Sequence, residues 1–282
     1  MFVSDLLAHK KILITGGGSG LGKSMATRFV ELGANVTIAG RRESVLAGAA
    51  EEIVSKTGKQ VATIHLDVRD PRSVEHAFDE AWTEGPLDIL VNNAAANFIA
   101  RTETLSSRAW DAVIDTVLKG TAYCTTAVGK RWIGAGRGGV ILNIVSSGAW
   151  AGNAYTAPSA SAKAGVLTLT KTLAAEWGPK GIRTVAIAPG MFPTEGAWKR
   201  LLPEGTESTP RVDDVPLKRY GEHIELANLA SYLISDQASY INGECVLIDG
   251  GRVHGGVGGV AVRDLHRWND QQWTDFRQGL AE

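Results

Sequence analysis

Residues Lys10–Glu31 read Lys-Lys-Ile-Leu-Ile-Thr-Gly-Gly-Gly-Ser-Gly-Leu-Gly-Lys-Ser-Met-Ala-Thr-Arg-Phe-Val-Glu, and the rest of the chain is organised around them. Ile12, Leu13 and Ile14 make a short apolar run of the kind that forms a buried strand. A glycine-rich turn follows. A helical pattern then places Leu21, Met25, Phe29 and Leu32 on one face. Strand, turn and helix are the first half of a βαβ unit. The N-terminus of such a helix presents unpaired N–H groups and the positive end of its dipole, which suits a pyrophosphate. Gly16, Gly20 and Gly22 give the spacing T-G-x-x-x-G-x-G from Thr15, which differs from the common G-x-G-x-x-G. The contacts expected from this segment are Thr15, Gly16, Gly18, Ser19, Gly20, Leu21 and Gly22.

Outward from this stretch, strands and helices alternate. Asn35–Ala39 is a second strand, and Gly40-Arg41-Arg42 follows it. A site for NAD places a carboxylate here, on the adenine ribose. Arg41 and Arg42 instead suit a 2′-phosphate, so the expected cofactor is NADPH. Val61–Leu66 is a third strand ending in Asp67-Val68, where Asp67 is placed to bond an adenine amino group. Asp70-Pro71 starts a helix that runs to about Glu84. Leu87–Val91 is a fourth strand, followed by Asn92-Asn93-Ala94-Ala95-Ala96-Asn97-Phe98. Small residues past a buried strand let backbone approach a cofactor, so Asn93, Ala94 and Ala95 are candidate contacts. A long helix is expected over Ser107–Trp132 and a fifth strand over Val140–Val145, ending at Ser146-Ser147. Pro158 opens a helix that includes Ser159 and Lys163. Ile182–Ala188 is a sixth strand ending at Pro189-Gly190, also expected beside the cofactor. Met191–Thr209 is irregular and rich in Pro, Gly, Thr and Glu, and a substrate lid is expected over about 191–220. Glu222–Ile234 is a helix and Glu244–Ile248 a seventh strand.

This alternation predicts one α/β domain over residues 1–252, a Rossmann-type, doubly wound, parallel seven-stranded sheet with helices on both faces. Residues 253–282 read as an extension. Gly255–Gly259 is expected to be flexible, and Asn269–Leu280 to form a terminal helix with Trp268, Trp273 and Phe276 as its aromatics.

Composition narrows the class. The 282 residues are 44% hydrophobic with net charge −1, which gives no electrostatic reason to bind nucleic acid. The two cysteines, Cys124 and Cys245, lie in apolar surroundings and read as reduced core residues. No apolar run reaches the length of a membrane span. The first strand begins near Lys11, so no targeting segment, and a cytoplasmic location, are expected.

Together, the glycine motif at Thr15, Asn92-Asn93-Ala94, the serine after the fifth strand, the helix with Lys163 and Pro189-Gly190 resemble the short-chain dehydrogenase/reductase family over nearly the whole chain. That resemblance implies a Rossmann fold, a nicotinamide cofactor and a homotetramer. One departure is informative. The family's usual site is a serine with Tyr-x-x-x-Lys, the tyrosine thirteen residues beyond the serine. Counted from Ser146, that position is Ser159, giving Ser159-x-x-x-Lys163. The family's helical asparagine, in N-x-x-G, falls on Val117 before Gly120.

Ketone reduction leaves an alkoxide that must be protonated, a task for a tyrosine acidified by lysine. Conjugate reduction of an unsaturated thioester places the charge on an enolate oxygen, which needs hydrogen bonds more than a proton. The family's NADPH-dependent 2,4-dienoyl-CoA reductase branch uses Ser-x-x-x-Lys, and the chain resembles its mitochondrial type. The similar segments are Asn92–Ile99, Pro158–Gly165, Leu173–Gly178, Glu225–Ala230 and the region of Gln272-Trp273. The resemblance implies that Lys163 holds the nicotinamide ribose, that Ser159 bonds near the substrate or the cofactor amide, and that Asn97 donates to the thioester carbonyl. Ser146 and Tyr155 complete the catalytic candidates. No metal is implied. The mitochondrial type's further tyrosine falls on Gly148, leaving Tyr155, Trp150 or a water for its role. The substrate implied is an acyl-CoA and the product a trans-3-enoyl-CoA, in unsaturated fatty acid oxidation. Lys199, Arg200 and Arg252 are basic candidates for the phosphates of CoA. Two other readings stay open: a carbonyl or alcohol dehydrogenase using Tyr155 as its acid, and a degenerate NADPH-binding scaffold or regulator.

Overall fold

The computed structural model describes residues 3–194, 196, 212, 215–257 and 269–279. Seven parallel strands form one sheet in the order β3-β2-β1-β4-β5-β6-β7. They are β1 Lys11–Thr15, β2 Asn35–Gly40, β3 Ala62–His65, β4 Ile89–Asn92, β5 Gly139–Ile144, β6 Ile182–Pro189 and β7 Cys245–Ile248. The longer helices are α1 Gly20–Glu31, α2 Glu43–Thr57, α3 Pro71–Thr83, α4 Ser107–Ile114, α5 Gly120–Gly134, α7 Ala157–Trp177 and α8 His223–Ile234; α6, Gly148–Ala151, is a single turn. The doubly wound fold read from the sequence is the fold of the chain. None of the described helices is long and apolar enough to cross a membrane.

Alternation along each strand divides the core. Ile12 and Ile14 face one layer with Met25, Phe29, Leu226 and Leu233 of α1 and α8. Leu13, between them, faces the other layer with Phe78, Val128 and Trp132 of α3 and α5. Strands buried on both faces read as continuous apolar runs, which is why they stand out in the sequence. β1 pairs with β2 on one side and β4 on the other, so the strand order reverses there, and a crevice opens beyond the strands' C-terminal ends.

Two expectations are corrected. The helix foreseen from Ser107 is interrupted by a π-helical turn, Asp115–Lys119, between α4 and α5. An ion pair joins Asp115 and Lys119 across it at 2.8 Å. Where α5 begins, a Cβ on Gly120 would lie 2.7 Å from Val68 Cγ2, so the glycine allows that close approach. The extension does not begin with a flexible glycine run: Arg252–Val257 forms the short helix α9. The Asp249 carboxylate starts it, accepting from the N–H groups of Gly251 at 2.8 Å and Val253 at 2.7 Å. The last helix, α10, spans Asp270–Gly279 and carries Trp273. Trp268, the Phe276 side chain, Gly258-Gly259 and most of the expected lid lie outside the described residues.

Candidate active site

A large cleft of about 1940 Å³ runs across the C-terminal ends of the strands. At its β1 end, Gly16, Gly18, Ser19, Gly20 and Leu21 form the wall. Gly16 and Gly20 take positive φ, 65° and 53°, a region most side chains avoid. Ser19 does not cap α1 with its side chain, and no acid occupies the first turn. The first-turn N–H groups are therefore left for an anion at the cleft.

Thr15 and Gly22, expected as cofactor contacts, do not line the cleft. They lie behind the turn and hold it. Thr15 Oγ1 accepts from the backbone N–H groups of Asn93 and Ala94, each at 3.0 Å. A Cβ on Gly22 would sit 2.4 Å from the Gly16 carbonyl oxygen and 2.5 Å from Asn93 Nδ2. Asn93 closes the same joint by donating to the carbonyls of Thr15 and Gly16, each at 3.1 Å.

Arg41, Arg42, Asp67, Val68, Asn93, Ala94, Ala95, Pro189 and Gly190 all line the cleft. Asp67 already has a partner. The Arg69 guanidinium reaches its carboxylate at 2.6 Å. Hydrogen bonding to Arg69 is the main reason its pKa lies below the usual carboxylate value, with Arg41 adding a smaller effect. Two cleft-lining guanidiniums and open helix N–H groups form a donor set suited to a phosphorylated dinucleotide.

The other end of the cleft holds Ser146, Ser159, Lys163 and Asn97. Lys163 is buried on α7, one turn beyond Ser159, and its Nζ donates to the Ile144 carbonyl at the end of β5. Burial lowers its pKa from 10.5 to about 8. Asn97 Oδ1 accepts from the Phe98 N–H at 2.9 Å, which fixes the amide and leaves the Nδ2 donors without a protein partner among the described residues.

Tyr155 is a correction. It is 61% exposed and is not part of the cleft wall. Its backbone is left-handed, φ 63°, and its carbonyl accepts from the Ala100 N–H at 2.9 Å, a geometry that turns the ring to solvent. Trp150 is likewise exposed and outside the cleft. Among the described residues no tyrosine lines the cleft. Gly148 does line it. A Cβ there would make only ordinary contacts, at 3.4 Å to Asn153 Cβ and 3.5 Å to Ser146 Oγ. Arg252 also faces the cleft, whereas Lys199 and Arg200 lie outside the described residues.

Sequence reasoning missed Thr116, Asn153, Phe192 and His223, all part of the cleft wall. Thr116 arrives there on the π turn, which no periodicity signals. His223 arrives through the packing of α8 on α1, for which the local sequence has no marker.

Comparison with known proteins identifies the family. A family model described as enoyl-(acyl carrier protein) reductase matches residues 16–252. A probable 2,4-dienoyl-CoA reductase [(2E)-enoyl-CoA-producing] of Bacillus subtilis is 46% identical, over 87% of this chain and 97% of its own length. A probable 2,4-dienoyl-CoA reductase 3 [(3E)-enoyl-CoA-producing] of Caenorhabditis elegans is 42% identical, over 95% of this chain and 88% of its own. Among solved structures, a short chain dehydrogenase from Bacillus anthracis is 46% identical with TM-score 0.76, covering 86% of this chain and 96% of its own. A gluconate 5-dehydrogenase from Burkholderia cenocepacia, in complex with NADP and tartrate, is 30% identical with TM-score 0.82, covering 89% and 98%.

Proposed function

The chain belongs to the short-chain dehydrogenase/reductase family and is an oxidoreductase; we propose that it reduces 2,4-dienoyl-CoA thioesters by conjugate addition, with NADPH as cofactor. The observation that carries this reading is a cleft walled by Ser159, Lys163 and Asn97 and by no described tyrosine. A carbonyl reductase must protonate an alkoxide, and a serine hydroxyl is too weak an acid for that step. A dienoyl thioester sets an easier task. When bound, NADPH would supply the hydride that adds to the distal carbon of the diene. The two double bonds shift toward the carbonyl, and the electron pair comes to rest on the thioester oxygen. Donors aimed at that oxygen stabilise the charge. Asn97 Nδ2, fixed by the Phe98 N–H, is such a donor. A proton from solvent then goes to the carbon next to the carbonyl, giving the 3-enoyl product; protonation two carbons further out would give the 2-enoyl isomer.

Lys163 binds and orients in this scheme. Its position between the end of β5 and the cleft suits it to grip the ribose beside the nicotinamide. Arg41 and Arg42 line the cleft where the 2′-phosphate of NADPH would be held. A homotetramer is the proposed assembly, which light scattering of the purified protein reads directly.

The test is NADPH oxidation with 2,4-hexadienoyl-CoA, with NADH in parallel. Turnover selective for NADPH is expected, with a 3-enoyl-CoA product identified by chromatography. Intact NADPH binding with no turnover of any dienoyl- or enoyl-CoA would overturn the reading.

A further inference from the structure

Two polar clasps join α1 to α8, the helix pair on one face of the sheet. Arg28 Nε donates to Asn228 Oδ1 at 2.9 Å. One turn toward the cleft, Ser24 Oγ meets His223 Nδ1 at 2.8 Å. The first clasp touches only the two helices. In the second, the other ring nitrogen, His223 Nε2, lies 2.7 Å from the carbonyl oxygen of Pro193. A carbonyl can only accept, so Nε2 carries the hydrogen of this bond. Pro193 belongs to Met191–Thr194, the first residues past Pro189-Gly190 and the stem of the expected lid. Ser24, His223 and the whole stem line the cleft.

The stem also rests on the anion end of α1. A Cβ on Gly20, the first residue of that helix, would lie 3.3 Å from Thr194 Cγ2. The far end of the lid is tied down separately: the Gly221 N–H donates to the Met191 carbonyl at 3.0 Å. One imidazole thus joins the helix that offers its N-terminus to the cofactor, the helix that follows the lid, and the stem from which the lid departs.

We propose that His223 is a positioning residue that fixes the lid stem against the cofactor helix, so that the wall beside the dinucleotide is set before the cofactor arrives. Fixing the stem in advance spares NADPH the cost of ordering it. The inference rests on reading the cleft as a dinucleotide site and is independent of the acyl substrate.

The test is NADPH affinity of the full chain, measured by fluorescence titration, for the wild type, His223→Ala, His223→Gln, Ser24→Ala and Asn228→Ala. His223→Ala removes both bonds and should weaken NADPH binding by roughly tenfold. His223→Gln keeps a donor near the Nε2 position and should recover most of that loss. Ser24→Ala should weaken binding by roughly threefold alone and add nothing in the His223→Ala background, because the two residues act as one unit. Asn228→Ala breaks the other clasp of the same seam and should lower thermal stability with NADPH affinity unchanged. Wild-type affinity in His223→Ala, or an equal loss in Asn228→Ala, would overturn the inference. If His223→Ala does not fold, Ser24→Ala decides it: wild-type NADPH affinity in that variant would overturn the inference. A wild type that binds no NADPH would overturn the dinucleotide reading itself, an outcome distinct from a wild type that binds it and variants that do so equally well.

Discussion

Gly22, behind the wall at one end of the cleft, and Gly148, in the wall at the other, are glycines for opposite reasons. At Gly22 a single added carbon would lie 2.4 Å from a backbone carbonyl, at the joint where the glycine turn meets the loop after β4. At Gly148 the same carbon would have neighbours no closer than 3.4 Å. The cofactor end is a backbone device, closed by packing and intolerant of atoms. The chemical end is an arrangement of side chains, and at position 148 it has room for one more. Damage at the first end should come from adding atoms, and at the second from removing donors.

The largest effect expected is at the second end. Lys163→Met removes the only buried ammonium in the cleft wall among the described residues and should lower kcat by roughly a thousandfold, read as NADPH oxidation. Asn97→Ala follows, with a loss of roughly a hundredfold in kcat and little change in NADPH affinity, since on the proposed reading only a donor to the charged oxygen is lost. Gly22→Ala tests the first end: overpacking against a backbone carbonyl should destabilise the fold by about 1–3 kcal/mol and weaken NADPH binding, measured by denaturant unfolding and titration. Gly148→Tyr is the counterpart and should leave stability within about 1 kcal/mol of wild type, because its Cβ meets only ordinary contacts. If the ring reaches the enolate, the ratio of 3-enoyl to 2-enoyl product will shift. A Gly148→Tyr variant as unstable as Gly22→Ala would erase the contrast between the two ends.

The gentlest probe is pH. Burial lowers the Lys163 pKa from 10.5 to about 8, so the ammonium proposed to hold the ribose is present below about 8 and lost above it. kcat/KM should therefore fall as pH rises through about 8. Stability should move the other way. Between about 8 and 10.5 the unfolded chain holds this proton more tightly than the folded one, so a burial penalty present at lower pH is relieved across that window. A parallel decline of activity and stability would mean that another group controls the alkaline limb.

Legibility followed the same division. Strand, glycine turn and helix at Lys10–Glu31 sufficed for the parallel sheet, because strands buried on both faces must be apolar throughout and crossover helices must follow them. Ser159 and Lys163, one turn apart on α7, were legible because the helical period places them together. Tyr155 was misread because spacing along a loop does not say which way its backbone turns; a left-handed residue tied to Ala100 sends the ring outward. Thr15 and Gly22 were misread in a different sense: the motif includes them, but their work lies behind the turn, in contact with Asn93 from a segment about eighty residues away.

The order of elements, the glycine turn, the paired arginines after β2 and the absence of a tyrosine four residues before Lys163 are set by the sequence alone. Each is a local pattern, set by hydrophobic period, glycine spacing or residue type. Which of these groups share one cleft, the break of the long helix at Asp115–Lys119, and the meeting of Ser24 and Pro193 on His223 all depend on the folded chain. Those contacts join residues up to 199 positions apart, and what brings them together is the burial of α1 and α8 on one face of the sheet, a long-range packing effect with no local signature.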